Sequence, residues 1–102
     1  VGWVVLGRVE TAFTSVMHYE DGTRTEAPCR NFNEVWDWYY IAATEDMAKH
    51  QCYKGWANSV NRGLYIWQWQ NPNPEKRIQS LDIISASGQQ IPLIVAITVE
   101  AP

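Results

Sequence analysis

Apolar and polar residues alternate with a two-residue period along much of this 102-residue chain. The clearest case is Leu64-Tyr65-Ile66-Trp67-Gln68-Trp69-Gln70, halted by Asn71-Pro72-Asn73-Pro74. A strand over residues 64–70 puts Leu64, Ile66, Gln68 and Gln70 on one face and Tyr65, Trp67 and Trp69 on the other. With Leu64 and Ile66 turned to a core, the three rings stand outward in a row spanning roughly 13 Å, at about 3.3 Å per residue. The reverse arrangement, rings inward and glutamines in water, satisfies the same period, and burial statistics favour it for any single ring. Three adjacent large rings are hard to bury in so small a domain, so for the row as a whole both arrangements stay open.

The same period recurs elsewhere. Residues 3–8, Trp-Val-Val-Leu-Gly-Arg, are β-branched enough for a strand with Gly7 at a bulge or end. Residues 13–19 alternate Phe13, Ser15, Met17 and Tyr19 against Thr14, Val16 and His18. Asp21-Gly22 then supplies the turn of a hairpin, with a return strand over residues 23–27 stopped by Pro28. Residues 31–50 have a different texture: Val35, Trp38, Tyr39 and Ala42 fit a helical period, Trp36, Trp38 and Tyr40 a strand. The helix formers among residues 42–49 predict a long connection with one short helix. A short strand over residues 51–56 and a polar loop lead into the aromatic stretch. Residues 77–85 and 92–99 are apolar on both faces, which predicts two central strands separated at Ser87-Gly88. Many short strands between Asp, Asn, Gly and Pro turns, with little helix and no repeat, predict one all-β domain over residues 1–102, an antiparallel β-sandwich.

Composition narrows the function. Eight Lys and Arg against eleven Asp and Glu leave a net charge of −3 and no basic cluster, which disfavours nucleic acid as a partner. No apolar run is long enough to cross a bilayer as a helix, so a membrane is not expected as a partner. Six Trp and five Tyr are the prominent excess, and Trp is favoured where a protein stacks on a ligand or anchors an interface. Cys29 and Cys52 allow one disulfide or two buried thiols, and neither they nor His18 and His50 show zinc-ligand spacing.

Several segments together carry a resemblance: His18-Tyr19-Glu20-Asp21-Gly22, Trp36-Asp37-Trp38, Gly55-Trp56, Pro92-Leu93 and Ala96-Ile97-Thr98-Val99. The most specific is Trp69-Gln70-Asn71-Pro72-Asn73-Pro74-Glu75-Lys76 followed by Ile78-Gln79-Ser80-Leu81-Asp82. From about His18 onward the chain resembles the galactose-binding-like β-sandwich modules that accompany the catalytic domains of secreted bacterial polysaccharide-degrading enzymes. The resemblance implies a jelly-roll-like sandwich, a carbohydrate-binding role, secretion, a covalently linked catalytic domain of the glycoside hydrolase kind, and room for a structural calcium ion, with no cofactor required. Such modules are usually longer at the N-terminus. Trp38, Trp56 and Trp69 fit the general pattern, whereas Trp67 replaces an expected small polar residue, which makes Trp67 the first choice for a ligand contact.

Sugar rings offer apolar faces and a polar rim, so a binder needs aromatic planes beside amide or charged side chains. The residues placed to supply both are Tyr65, Trp67 and Trp69 with Gln68, Gln70, Asn71 and Arg77, and Trp36 from the preceding connection. For Trp36, Tyr39, Tyr40 and Trp56, hydrophobic core is the better single reading. Glycoside hydrolysis would need two opposed carboxylates, and Asp37 and Asp82 are the ones beside aromatic or apolar residues, but so small a sandwich has little cleft to hold a distorted sugar. Asp21 with Glu20, or Asp82, could ligate calcium, although a turn aspartate normally only makes its turn. The expectation is therefore non-catalytic binding of an extended β-linked plant cell-wall glucan, such as cellulose chains, mixed-linkage β-glucan or xyloglucan. The alternative is a protein–protein or structural module that uses the same aromatic face.

Overall fold

The computed structural model describes residues 1–2, 9–39, 41 and 45–100. The strand expected over residues 3–8 lies outside them, as do Tyr40 and the first residues of the helical stretch. In chain order the elements are β1 (Thr11–Tyr19), β2 (Arg24–Arg30), α1 (Glu45–Lys49), β3 (Cys52–Ala57), β4 (Gly63–Trp67) and β5 (Ile78–Ser85). Among the described residues strands dominate, every strand pair is antiparallel, and the helix is a single short one. Three strands form one sheet in the order β2-β1-β5, and β3 pairs with β4 in a second.

The hairpin between β1 and β2 forms where Asp-Gly predicts it. Gly22 takes φ 87°, which side chains resist, and Asp21 Oδ1 accepts a hydrogen bond from the Thr23 N–H at 2.9 Å. Pro28 does not stop the return strand, however. β2 runs through it to Arg30, with Pro28 opposite Thr14. The reason is position: among the described residues β2 is the sheet edge, where a missing N–H donor leaves no ladder bond unmade. β1 is the middle strand and is covered on both faces, with Ala12, Phe13, Ser15, Val16, Met17 and Tyr19 all buried.

The second sheet departs from regular pairing at one place. Its register shifts between Lys54 and Trp56, and Gly63 lies so close to β3 that a Cβ built there would sit 1.9 Å from the Trp56 carbonyl oxygen. Only glycine allows that approach.

The two sheets meet through side chains alone. No α-carbon of β3 or β4 lies within 8 Å of one in β1, β2 or β5, but Val35 and Trp67 pack against the buried cluster of Val1, Ala12, Phe13 and Cys29. This settles the facing of the aromatic strand against the outward platform. Trp67 is half-buried and Ile66 is 52% exposed, so the ring side faces inward. An indole removes more apolar area from water than an isoleucine does, and Phe13 supplies the partner ring. β4 also ends at Trp67 rather than continuing to Gln70.

Neither expected central strand is central among the described residues. β5 neighbours only β1, and its Ile78, Ile83 and Ile84 are exposed. Residues 92–99 form no strand: Ile91 makes an isolated bridge with Gly2, and Leu93, Val95, Ile97 and Val99 beyond it are exposed. Two-sided apolarity marks a segment that needs covering, and does not itself supply the cover.

Candidate functional site: an aromatic groove with a charged wall

An open groove of about 370 Å³ lies between the outer part of β2 and the segment that leaves β4. One wall is Glu26, Ala27, Pro28 and Arg30 of β2 with Glu34 of the turn that follows. The other holds Trp67, Gln68 and Trp69, with Lys49, His50 and Gln51 from the exit of the helix also in the lining.

Each wall is fixed by backbone hydrogen bonds. After β2 the chain coils back on itself: the Glu34 and Val35 N–H groups donate to the Arg30 carbonyl at 3.0 and 3.2 Å, and Phe32 adopts φ 69° to permit it. The coil lays the Glu34 side chain, only 4% exposed, along Arg30. Glu34 Oε1 accepts from Arg30 Nε at 2.7 Å and Oε2 accepts from Nη2 at 3.1 Å, a fork in which each group compensates the burial of the other. The hydrogen bond to Glu34 raises the Arg30 pKa further above its ordinary value. His50 Nδ1 stands 3.4 Å from the same carboxylate. Gln51 takes φ 57° as the chain leaves α1, and its carbonyl accepts from the Gln68 N–H at 2.9 Å. That bond ties the helix exit to the peptide between the two tryptophans.

Three of the residues expected from the sequence therefore come together here: Trp67, Gln68 and Trp69. The others lie elsewhere. Tyr65 donates its hydroxyl to the Asp37 carbonyl at 3.3 Å, and Trp36 packs its ring on Phe32. Gln70 is exposed outside the groove, and Arg77 is a surface cation 3.7 Å from Glu20. Asn71 has a structural duty, since its Oδ1 accepts from the Asn73 N–H at 2.9 Å and from the hydroxyl of Tyr19, which is 1% exposed. Asn73 Nδ2 donates to that hydroxyl at 3.3 Å and to Thr25 Oγ1 at 3.2 Å. The Asn-Pro-Asn-Pro motif thus closes a turn and satisfies a buried phenol. Trp56, for which core was the better reading, is 59% exposed on the second sheet.

The remaining acidic candidates are engaged in local bonds. Asp21 is held by Thr23 and by Lys76 Nζ at 3.1 Å, Asp82 by His18 Nε2 at 2.9 Å, and Asp37 by the Tyr39 N–H at 2.9 Å. Neither Asp37 nor Asp82 lines the groove. Among the described residues no three His, Cys, Asp or Glu gather as a metal site. Cys29 and Cys52 are buried free thiols. Their strands keep all α-carbons more than 8 Å apart, beyond the reach of a disulfide without backbone movement. Burial pushes the Cys52 thiol up to about 12 and Cys29 higher still.

Sequence reasoning missed Arg30, Glu34, His50 and Gln51. Arg30 and Glu34 carry a visible signal, opposite charges four residues apart, but that spacing is normally read on a helix and here it is made by a coil. Compared with family models, with curated proteins and with solved structures, the chain matches none of them.

Proposed function

We propose that this is a non-catalytic carbohydrate-binding module, a two-layered sandwich of jelly-roll type that takes a β-linked glucan chain into the groove of Trp67 and Trp69. The observation that carries the reading is that both indoles open onto one groove whose rim is donor-rich, with Arg30, Lys49, Gln51 and Gln68 around them. Stacking on ring faces and hydrogen bonding to hydroxyls need that mixture. The platform is two rings beside a polar wall, shorter than the row of three that strand periodicity alone implies. It suits one or two sugars of an extended chain of the cellulose, mixed-linkage or xyloglucan type. Secretion and linkage to a glycoside hydrolase belong to the same proposal, on the strength of the sequence resemblance.

Calorimetric titration with cellopentaose, a mixed-linkage oligosaccharide and a xyloglucan oligosaccharide tests it. Binding to at least one, weakened in a folded Trp69→Ala variant, is the expected result; no heat with any of them removes the reading. The exposed Ile83, Ile84, Leu93 and Val95 favour a second reading, a protein-interaction module, which would survive that outcome.

A further inference from the structure

Resting on the carbohydrate reading, we infer that the groove selects a β-linked chain carrying a carboxylate substituent, a uronic acid branch on a mostly neutral backbone, and that Arg30 is the residue that selects it. Arg30 has five N–H donors in a planar fork. Nε and one N–H of Nη2 are taken by Glu34. The side chain is 37% exposed and lines the groove, and among the described residues nothing engages Nη1. The Nη1–Nη2 edge is thus a parallel pair of donors, and its matching partner is a planar carboxylate bound through both oxygens.

Glu34 is the positioning residue. Its buried carboxylate holds the guanidinium by two bonds, so little side-chain entropy is lost when a ligand arrives, and preorganisation of this kind is what raises affinity. Of the other charged residues lining the groove, Lys49 has Asp46 at 3.7 Å and Glu26 has Arg24 at 3.6 Å, which leaves the Nη1–Nη2 edge of Arg30 as the cationic donor pair that the groove presents. The net charge of −3 argues against a polyanion, which the protein as a whole repels. A sparse uronate bound at Arg30 feels mainly that residue and its immediate neighbours, because beyond about 8 Å physiological salt screens the rest.

The test compares three probes on the intact chain: a β-1,4-linked gluco-oligosaccharide with one glucuronic acid branch, the same compound with its carboxyl reduced to an alcohol, and one with a sulfate ester in place of the uronate. The uronate should bind about tenfold tighter than the reduced form, a difference of about 1.4 kcal/mol, and tighter than the sulfate ester. The preference should shrink with added salt. Arg30→Lys keeps the charge but loses the fork, and should abolish the preference, so that the uronate and reduced probes then bind alike. Should Arg30→Lys not fold, the double variant Arg30→Gln/Glu34→Gln, which removes both charges of the pair together, makes the same comparison. Equal binding of uronate and reduced probes, or of uronate and sulfate, overturns this inference alone, as does a preference that persists without the fork. Absence of binding to all three and to neutral glucans overturns the carbohydrate reading with it.

Discussion

The indole of Trp67 meets the ring of Phe13 edge to face, with centroids 6.3 Å apart and planes at 67°. One residue therefore serves both the seam between the sheets and the wall of the groove. Trp67→Ala should lower stability by about 2–3 kcal/mol, somewhat below the cost for a fully buried tryptophan, and should also weaken oligosaccharide binding. Trp69 stands beyond the end of β4, so Trp69→Ala should weaken binding about tenfold, by analogy with loss of a stacking ring elsewhere, and change stability far less. Urea denaturation beside calorimetry on both variants separates the two duties.

Trp56 provides the contrast. With 59% of its surface in water, Trp56→Ala should shift the free energy of unfolding by no more than about 0.5 kcal/mol and leave sugar affinity unchanged. A loss of several kcal/mol in denaturant titrations would show that its ring is covered in solution.

At the hairpin, the Thr23 hydroxyl and N–H, and then Lys76, hold the Asp21 carboxyl at about 2, below its ordinary 3.8. Because the folded value is the lower one, the stabilisation is present above pH 4 and is lost as the pH falls from about 4 through 2. Asp21→Asn should remove that portion of the acid dependence. Thermal midpoints recorded between pH 5 and pH 2 should fall less steeply for the variant than for the parent, the solvent exposure of the group keeping the difference small.

The two cysteines should behave as inert thiols. Buried, and held with raised pKa values, Cys29 and Cys52 should react with an aromatic disulfide reagent only after unfolding, and two thiols per chain should then be titrated under non-reducing conditions. Recovery of none would mean that the strands carrying them can approach far more closely.

Elements whose signals are local were legible in the sequence. Asp21-Gly22 specifies its turn chemically, and the alternation of residues 13–19 marks β1 whichever face is inner. Facing and neighbours were not legible, since both are set by what lies opposite. Trp67 turns inward because Phe13 is there to receive it, and Pro28 stays in its strand because β2 happens to be an edge. The site divided the same way. Trp67, Gln68 and Trp69 announce themselves by type and proximity, whereas the Arg30–Glu34 fork depends on a coil stabilised by positive φ at Phe32, a conformation that a phenylalanine does not advertise.

Pro28 gives the larger sheet a direction of growth. The β2 border carries a proline and the charged side chains of Arg24, Glu26 and Arg30, a combination that repels an incoming strand. The β5 border has neither device along Ile83 and Ile84. Among the described residues the apolar, uncharged border is therefore that of β5 at Ile83 and Ile84, on the opposite edge of the sheet from the strand that walls the groove.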